Sequence, residues 1–321
     1  MKYSKIIGTG SYLPEKTLSN YDFEKFVDTT NEWIVTRTGI HSRHVAGKDE
    51  TPVSMAEVAA KKALEAAGLN ATDIDLIVIS TATPEKFFPS TACLLQERLQ
   101  TKSCIAFDVN AACSGFLYGI TIADNFIRSG SIKNALVISS EVMTSLVDWK
   151  DRNTCVLFGD GAGAVVLQAS DEPGIISSKL HANGRQKDTL YFDTDLFYQN
   201  KETTEPRKFQ MKGRELFKFA VEAMADVAKE VLEDANMEIS AVDWIIPHQA
   251  NNRIIEALTK RLRFPAEQVI NTIAEQANTS SASIPLALDH AIRDNVIKSG
   301  QIVLMDAFGA GLAWGGVLIK I

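Results

Sequence analysis

Apolar positions along the chain change their period from segment to segment, and the changes predict alternating strands and helices. Cys104-Ile-Ala-Phe-Asp-Val109 reads as a buried strand. Beyond it, Phe116, Leu117, Ile120, Ile122, Ala123, Phe126 and Ile127 recur at helical spacing up to the stop signal Ser129-Gly130. Leu76-Ile-Val-Ile79 and Trp244-Ile-Ile-Pro247 are short apolar runs of the kind that strands buried on both faces present. Residues 182–208 are polar and weakly periodic, which predicts an excursion from the second half of the chain.

Part of this pattern occurs twice. Residues 60–79 align without a gap on residues 228–247, with Ala60/Ala228, Lys61/Lys229, Leu64/Leu232, Glu65/Glu233, Ala67/Ala235, Asp75/Asp243 and Ile77/Ile245 identical. Each copy reads as an amphipathic helix, a loop and a buried strand. Ile127-Arg-Ser-Gly130 matches Ile297-Lys-Ser-Gly300, and the strands Ala135–Ile138 and Ile302–Met305 follow. Two such copies are too long and too few for a solenoid. They predict two similar α/β halves, each around a mostly parallel sheet. The turn formers Ser170-Asp-Glu-Pro-Gly174 put the boundary between residues 1–172 and 173–321. Ligands of open α/β folds gather outside the carboxyl ends of strands. Here those ends lead to Thr81-Ala-Thr-Pro84, Cys113, His248 and the loop Gln276-Ala-Asn-Thr-Ser-Ser281.

Composition narrows the function without changing the fold. Of 321 residues, 45% are hydrophobic and 23% charged, as in a soluble globular protein. The formal charge of −7 argues against general nucleic-acid binding. Two basic segments still offer a surface to an acidic partner: Lys212, Arg214 and Lys218, then Arg253, Lys260, Arg261 and Arg263. Cys93, Cys104, Cys113 and Cys155 form no CxxC pair, so reduced thiols in a cytoplasmic protein without a metal site are expected. Neither a secretory leader nor a membrane span is legible.

Cys113 stands where a predicted strand turns into a helix, among the small residues Ala111, Ala112, Ser114 and Gly115. Unpaired N–H groups and the positive end of a helix dipole favour a thiolate at such a place. A buried structural cysteine is the alternative. His248 follows a buried strand directly, and Asn278 lies in a Thr/Ser-rich loop where it could be an ordinary turn former. The chemical case rests on the three together.

Asp108-Val-Asn-Ala-Ala-Cys-Ser-Gly-Phe116, Pro247-His-Gln-Ala-Asn-Asn-Arg-Ile254 and Asn278-Thr-Ser-Ser-Ala-Ser-Ile-Pro285 resemble the motifs of β-ketoacyl-acyl carrier protein synthase III. The similarity extends through Asn31-Glu-Trp-Ile-Val-Thr-Arg-Thr-Gly-Ile40, Phe158-Gly-Asp-Gly-Ala-Gly-Ala164 and Phe308-Gly-Ala-Gly-Leu-Ala-Trp-Gly315. The resemblance implies a thiolase-like fold with five-stranded sheets in an αβαβα layering. It implies an acyltransferase that condenses a short acyl-CoA with malonyl-acyl carrier protein, initiates fatty-acid synthesis, and works as a homodimer without metal or other cofactor. Cys113 would be acylated, with His248 and Asn278 as hydrogen-bond donors to an enolate. The backbone N–H groups of Cys113 and Ala310 would form an oxyanion hole. Thr29, Trp33, Arg37, Arg152, Gly213, Phe217 and Asn251 match CoA contacts, with Trp33 stacking on adenine. Phe87 or Phe88 matches an acyl-pocket cap supplied across the dimer. Lys218, Arg253, Lys260 and Arg261 match a carrier-protein docking patch.

Three positions depart from the family pattern. Gln276-Ala277 stands where an aromatic or His followed by Gly is usual, and Ala310 where Gly is common. A left-handed backbone at Ala310 would be less comfortable than at Gly. Other chemistries remain open at this point: a condensing enzyme with another acyl primer or a quinolone or polyketide product, one using a Glu base such as Glu85, a cysteine hydrolase, and a non-catalytic scaffold.

Overall fold

The computed structural model describes residues 2–193 and 209–321. Two sheets form its frame. The first runs in the order Tyr3–Tyr12, Asp160–Ser170, Asn134–Val142, Leu76–Ser80, Ile105–Val109. The second runs Trp244–Pro247, Ile302–Gly309, Ala313–Lys320, Ile175–Ala182. Matching registers carry the duplication into three dimensions: Leu76 pairs in parallel with Ala135, and Trp244 with Val303.

Alternate strand residues face opposite layers, which is why the strands read as unbroken apolar runs. Leu76 and Val78 pack toward the helix Gly115–Arg128, whose Phe116, Leu117 and Ile120 share one core with Ile284 and Leu288 of the helix Ser283–Arg293. Ile246, Met305 and Val317 of the second sheet close that core from the other side. Ile77 and Ile79 instead meet Ala56, Ala59, Ala60 and Ala63 of the helix Pro52–Ala67. Ile245, Leu304 and Leu318 meet the helices Gly213–Asp234 and Asn252–Leu262. The layering is therefore αβαβα, with one helix from each half in the middle.

Sheet composition differs from the sequence expectation in two respects. Parallel pairing is confined to Asn134–Val142, Leu76–Ser80 and Ile105–Val109 at one side of the first sheet and to Trp244–Pro247 with Ile302–Gly309 in the second; Tyr3–Tyr12, Asp160–Ser170, Ile175–Ala182 and Ala313–Lys320 pair antiparallel to their neighbours. Ile302–Gly309 and Ala313–Lys320 are consecutive and joined by a short turn, which only antiparallel strands allow. The second sheet also has four strands among the described residues. The counterpart of its missing fifth is reduced to a parallel bridge between Ile245 and Val269, sealed by Ile270 N–H donating to the Ile245 carbonyl at 2.9 Å.

Helix boundaries follow the local chemistry. Thr51 caps Pro52–Ala67, its Oγ1 accepting from Ser54 N–H, and Gly68 ends the helix at φ 65°. Of the polar excursion expected over 182–208, the described part holds a turn at Gly184–Gln186 and the strand Leu190–Tyr191, paired with Gln210–Met211. The remainder of that expectation lies outside the described residues.

Candidate active site

The strand Ile105–Val109 ends as expected, and a 3₁₀ turn over Ala112–Ser114 carries Cys113 into the helix Gly115–Arg128. Close backbone approach fixes the turn. A methyl group on Gly309 would lie 2.7 Å from the Cys113 nitrogen, and one on Gly115 would lie 1.8 Å from Ser80 Oγ. Ala112 is held at φ 45°, a left-handed conformation costly for a residue with a side chain. Ser280 Oγ is 3.7 Å from Cys113 Sγ.

The resting thiolate expected from the helix terminus is not what this environment favours. Burial pushes the Cys113 thiol up to about 12, and the charge of Glu141 adds to the effect; the hydrogen bond from Ser280 pulls the other way but is outweighed. The loss of water around the sulfur favours the protonated thiol.

His248 follows the strand Trp244–Pro247, and its backbone N–H donates to the Asp306 carbonyl at 2.7 Å. Burial lowers its imidazole to about 3, so the ring is neutral at physiological pH. Its Nδ1 lies 2.7 Å from Ser283 Oγ, which also accepts from Gln249 N–H at 3.3 Å. Donation of the Ser283 hydrogen to Nδ1 is the arrangement that puts the imidazole proton on Nε2, facing away from Ser283. Asn278 is held by the other half of the molecule: its N–H donates to Leu157 O at 3.0 Å and its carbonyl accepts from Gly159 N–H at 3.1 Å. Asn278 Oδ1 accepts from Ser280 N–H at 2.8 Å, which assigns Nδ2 as the group free to donate elsewhere.

These three side chains line one cavity of about 1290 Å³, together with Ser280, Gly309 and Ala310. Arg37, Phe87, Gly213, Phe217, Asn251 and Arg253 also line it. Trp33 and Arg152 stand beside Arg37 just outside: the Arg37 guanidinium is 4.7 Å from the Trp33 ring centroid and that of Arg152 is 5.2 Å. Arg152 is anchored by donating to the Asp28 carbonyl at 2.7 Å. Besides Trp33 and Arg152, Thr29, whose hydroxyl is buried without a partner, Phe88, which is 84% exposed, and the exposed Lys218 and Lys260 do not reach the wall. Arg261 is likewise exposed beside Lys260 on the helix Asn252–Leu262. Glu85 has a different partner, accepting from Val53 N–H at 3.2 Å.

Two departures have structural answers. Ala310 is not in the left-handed region; Gly311 takes φ 133° instead, so the strain anticipated at Ala310 does not arise. Ala277 does sit at φ 55°, ψ −160°, a region suited to glycine, and beside it Gln276 Oε1 is buried without a partner. Sequence reasoning missed Glu141, Ser280 and Ser283. The two serines lay within the Asn278 motif itself; Glu141 gave no local signal.

Comparison with known proteins places the whole chain among relatives of one family. Two family models match, 3-oxoacyl-[acyl-carrier-protein] synthase III over residues 107–184 and its C-terminal counterpart over residues 232–321. The β-ketoacyl-[acyl-carrier-protein] synthase III of Methylococcus capsulatus is 52% identical over 319 residues, covering 99% of each chain. That of Thioalkalivibrio sulfidiphilus is 51% identical over 321 residues, covering 100% of each. Among solved structures, the 3-oxoacyl-[acyl-carrier-protein] synthase III of Aquifex aeolicus superposes with a TM-score of 0.93 at 50% identity, covering 99% of this chain and 100% of that one. The priming β-ketosynthase of the R1128 polyketide pathway gives 0.97 at 37% identity, covering 100% and 96%.

Proposed function

The chain belongs to the β-ketoacyl-[acyl-carrier-protein] synthase III family, and we propose that it performs the family's condensation through Cys113, His248 and Asn278. The observation that carries this is their convergence on one large cavity from three separate segments of the two halves. Cys113 Sγ attacks the thioester carbonyl of a short acyl-CoA, the C–S bond to CoA breaks, and the thiol proton leaves with CoA. The enzyme is then an acyl-thioester. Malonyl-acyl carrier protein next loses CO2, and the electron pair of the broken C–C bond becomes an enolate. His248 Nε2–H and Asn278 Nδ2–H donate to its oxygen; a neutral imidazole suits this role because it gives a hydrogen bond without giving up a proton. The enolate carbon attacks the acyl carbon. Backbone N–H groups of Cys113 and Ala310 support the oxyanion of the adduct, which expels the Cys113 sulfur to take up a proton. The product is a β-ketoacyl-carrier protein that starts a fatty-acid chain.

Several features support the substrate contacts. The Trp33 ring with Arg37 and Arg152 suits a nucleotide base and its phosphates, and Gly213, Phe217 and Asn251 line the way from there to Cys113. Arg253 at the cavity wall and Lys260, Arg261 and Lys218 on the surface suit the acidic carrier protein. The exposed Phe87 and Phe88 suit a dimer contact in a cytoplasmic enzyme. No cofactor is required by these steps. Priming of polyketide assembly with a different acyl group is the alternative, favoured by the close superposition on the R1128 ketosynthase.

Intact-protein mass spectrometry after exposure to a panel of acyl-CoAs tests the proposal. Expected is one acyl group on Cys113, discharged by malonyl-carrier protein, with the chain length naming the primer. Steady release of the free acid with no labelled cysteine would instead make the protein a hydrolase.

A further inference from the structure

Glu141 is the last but one residue of the strand Asn134–Val142 and has no solvent exposure, and the proposed chemistry makes no use of it. Its carboxylate is met by donors on both oxygens. Ser281 Oγ donates to Oε1 at 2.6 Å, while Ala82 N–H, Thr83 Oγ1 and Thr81 Oγ1 approach Oε2 at 2.9, 3.0 and 3.3 Å. The direction of these bonds is set by further ones. Thr83 Oγ1 accepts from Val142 N–H at 2.9 Å and Thr81 Oγ1 from Thr83 N–H at 3.1 Å, which leaves each hydroxyl hydrogen for Glu141.

The donors come from two segments on either side of the nucleophile. Ala82, Thr83 and Pro84 line the cavity from the first half. Ser281 belongs to the second half and adjoins Ser280, which touches Cys113 Sγ and whose N–H is bound by Asn278 Oδ1. Ser280 itself is at φ 54°, a conformation that needs outside support. Burial raises the Glu141 carboxyl and the four hydrogen bonds oppose that rise; together these bonds fix both segments to a single point.

We propose that Glu141 is a positioning residue for the acyl-transfer site, clamping the Asn278–Ser281 turn to the Thr81–Thr83 loop so that Asn278 and Ser280 stay registered on Cys113. This deepens the functional proposal above and rests on Cys113 being the acylated nucleophile. Other ionisable groups nearby are otherwise engaged. Asp160, on the adjacent strand, accepts from Ala46 N–H and Thr144; Glu85 accepts from Val53 N–H; His248 is neutral. Cys113 is the titratable group on which the charge of Glu141 acts, raising its thiol.

Charge and geometry can be separated by substitution. In Glu141→Gln the amide oxygen keeps the three donors on its side, and the amide nitrogen donates to Ser281 Oγ, whose hydroxyl turns round. Glu141→Ala removes the clamp, and Ser281→Ala cuts its link to the Asn278 turn. In the full-length enzyme, Glu141→Ala is expected to lower kcat about 10²-fold with KM for acyl-CoA unchanged, as for a small misplacement of reacting groups. Ser281→Ala should fall in the same direction by less. Glu141→Gln should recover most of kcat yet shift the pH midpoint of Cys113 alkylation by iodoacetamide downward, because a negative charge near the sulfur has gone. If Glu141→Ala does not fold, Ser281→Ala and Glu141→Gln carry the test. Wild-type kcat in Ser281→Ala together with a wild-type alkylation profile in Glu141→Gln would overturn the proposal. Failure of the wild-type enzyme to acylate Cys113 would overturn the functional proposal instead, so the two failures are distinct.

Discussion

The two halves use equivalent strand ends for opposite purposes. Registers place Glu141 and Gly309 at corresponding positions, each at the end of the strand that pairs in parallel with Leu76–Ser80 or Trp244–Pro247. Glu141 reaches across to Ser281 with a buried carboxylate. Gly309 reaches across to Cys113 with bare backbone, and even a methyl group there would collide. One contact is a polar clamp and the other a steric one. Duplication thus kept a scaffold whose apolar layers are interchangeable in kind, while the rim diverged into Cys113 on one side and His248 and Asn278 on the other.

Several changes would break or sharpen this contrast. Cys113→Ser should abolish acyl transfer in a folded protein, because an alkoxide is far harder to form than a thiolate; mass spectrometry showing near-normal condensation and an acylated protein would refute the nucleophile. Gly309→Ala should lower kcat about 10²-fold by displacing the Cys113 backbone, with little change in KM for acyl-CoA. Arg253→Glu should raise KM for malonyl-carrier protein about tenfold and leave that for acyl-CoA much less affected, with the difference shrinking at high salt. Equal effects on both substrates would remove Arg253 from the docking surface.

Two smaller effects concern stability. Ala277→Gly should stabilise the fold by about 1 kcal/mol, since relief of backbone strain exceeds the entropy cost of glycine; a lower thermal midpoint would contradict this. Asp306 is fully buried, and neither carboxylate oxygen has a partner. Burial raises its carboxyl well above the ordinary 3.8. The native state therefore holds a proton that the unfolded chain releases, and the stabilisation present below about 3.8 is lost as pH rises toward the native value. Asp306→Asn should gain in thermal midpoint over the wild type as pH is raised through that window. A constant difference across pH would show that Asp306 is not held protonated.

Much of the site was legible before any coordinates. Cys113 and His248 each lie just past a strand, and strand ends are recognisable because both faces of Leu76–Ile79 and Trp244–Pro247 are apolar; Asn278 instead follows the short helix Ile273–Gln276 and reaches the site by bridging to Phe158. The fifth strand of the second half was not legible as lost, because Val269 and Ile270 retain apolar side chains while pairing through one bridge alone. Glu141 was invisible for a different reason. Its partners lie 58 to 140 residues away, and Ser-Ser-Glu at a strand end resembles any polar exit from a sheet.

The sequence by itself determined the alternation of strands and helices and the twofold repeat, because these depend on period, and it singled out Cys113, His248 and Asn278 as candidates. Tertiary structure decided their protonation. A helix start near Cys113 suggested an anion, but desolvation depends on everything packed around the sulfur, and that packing pushes the thiol up and the His248 imidazole down.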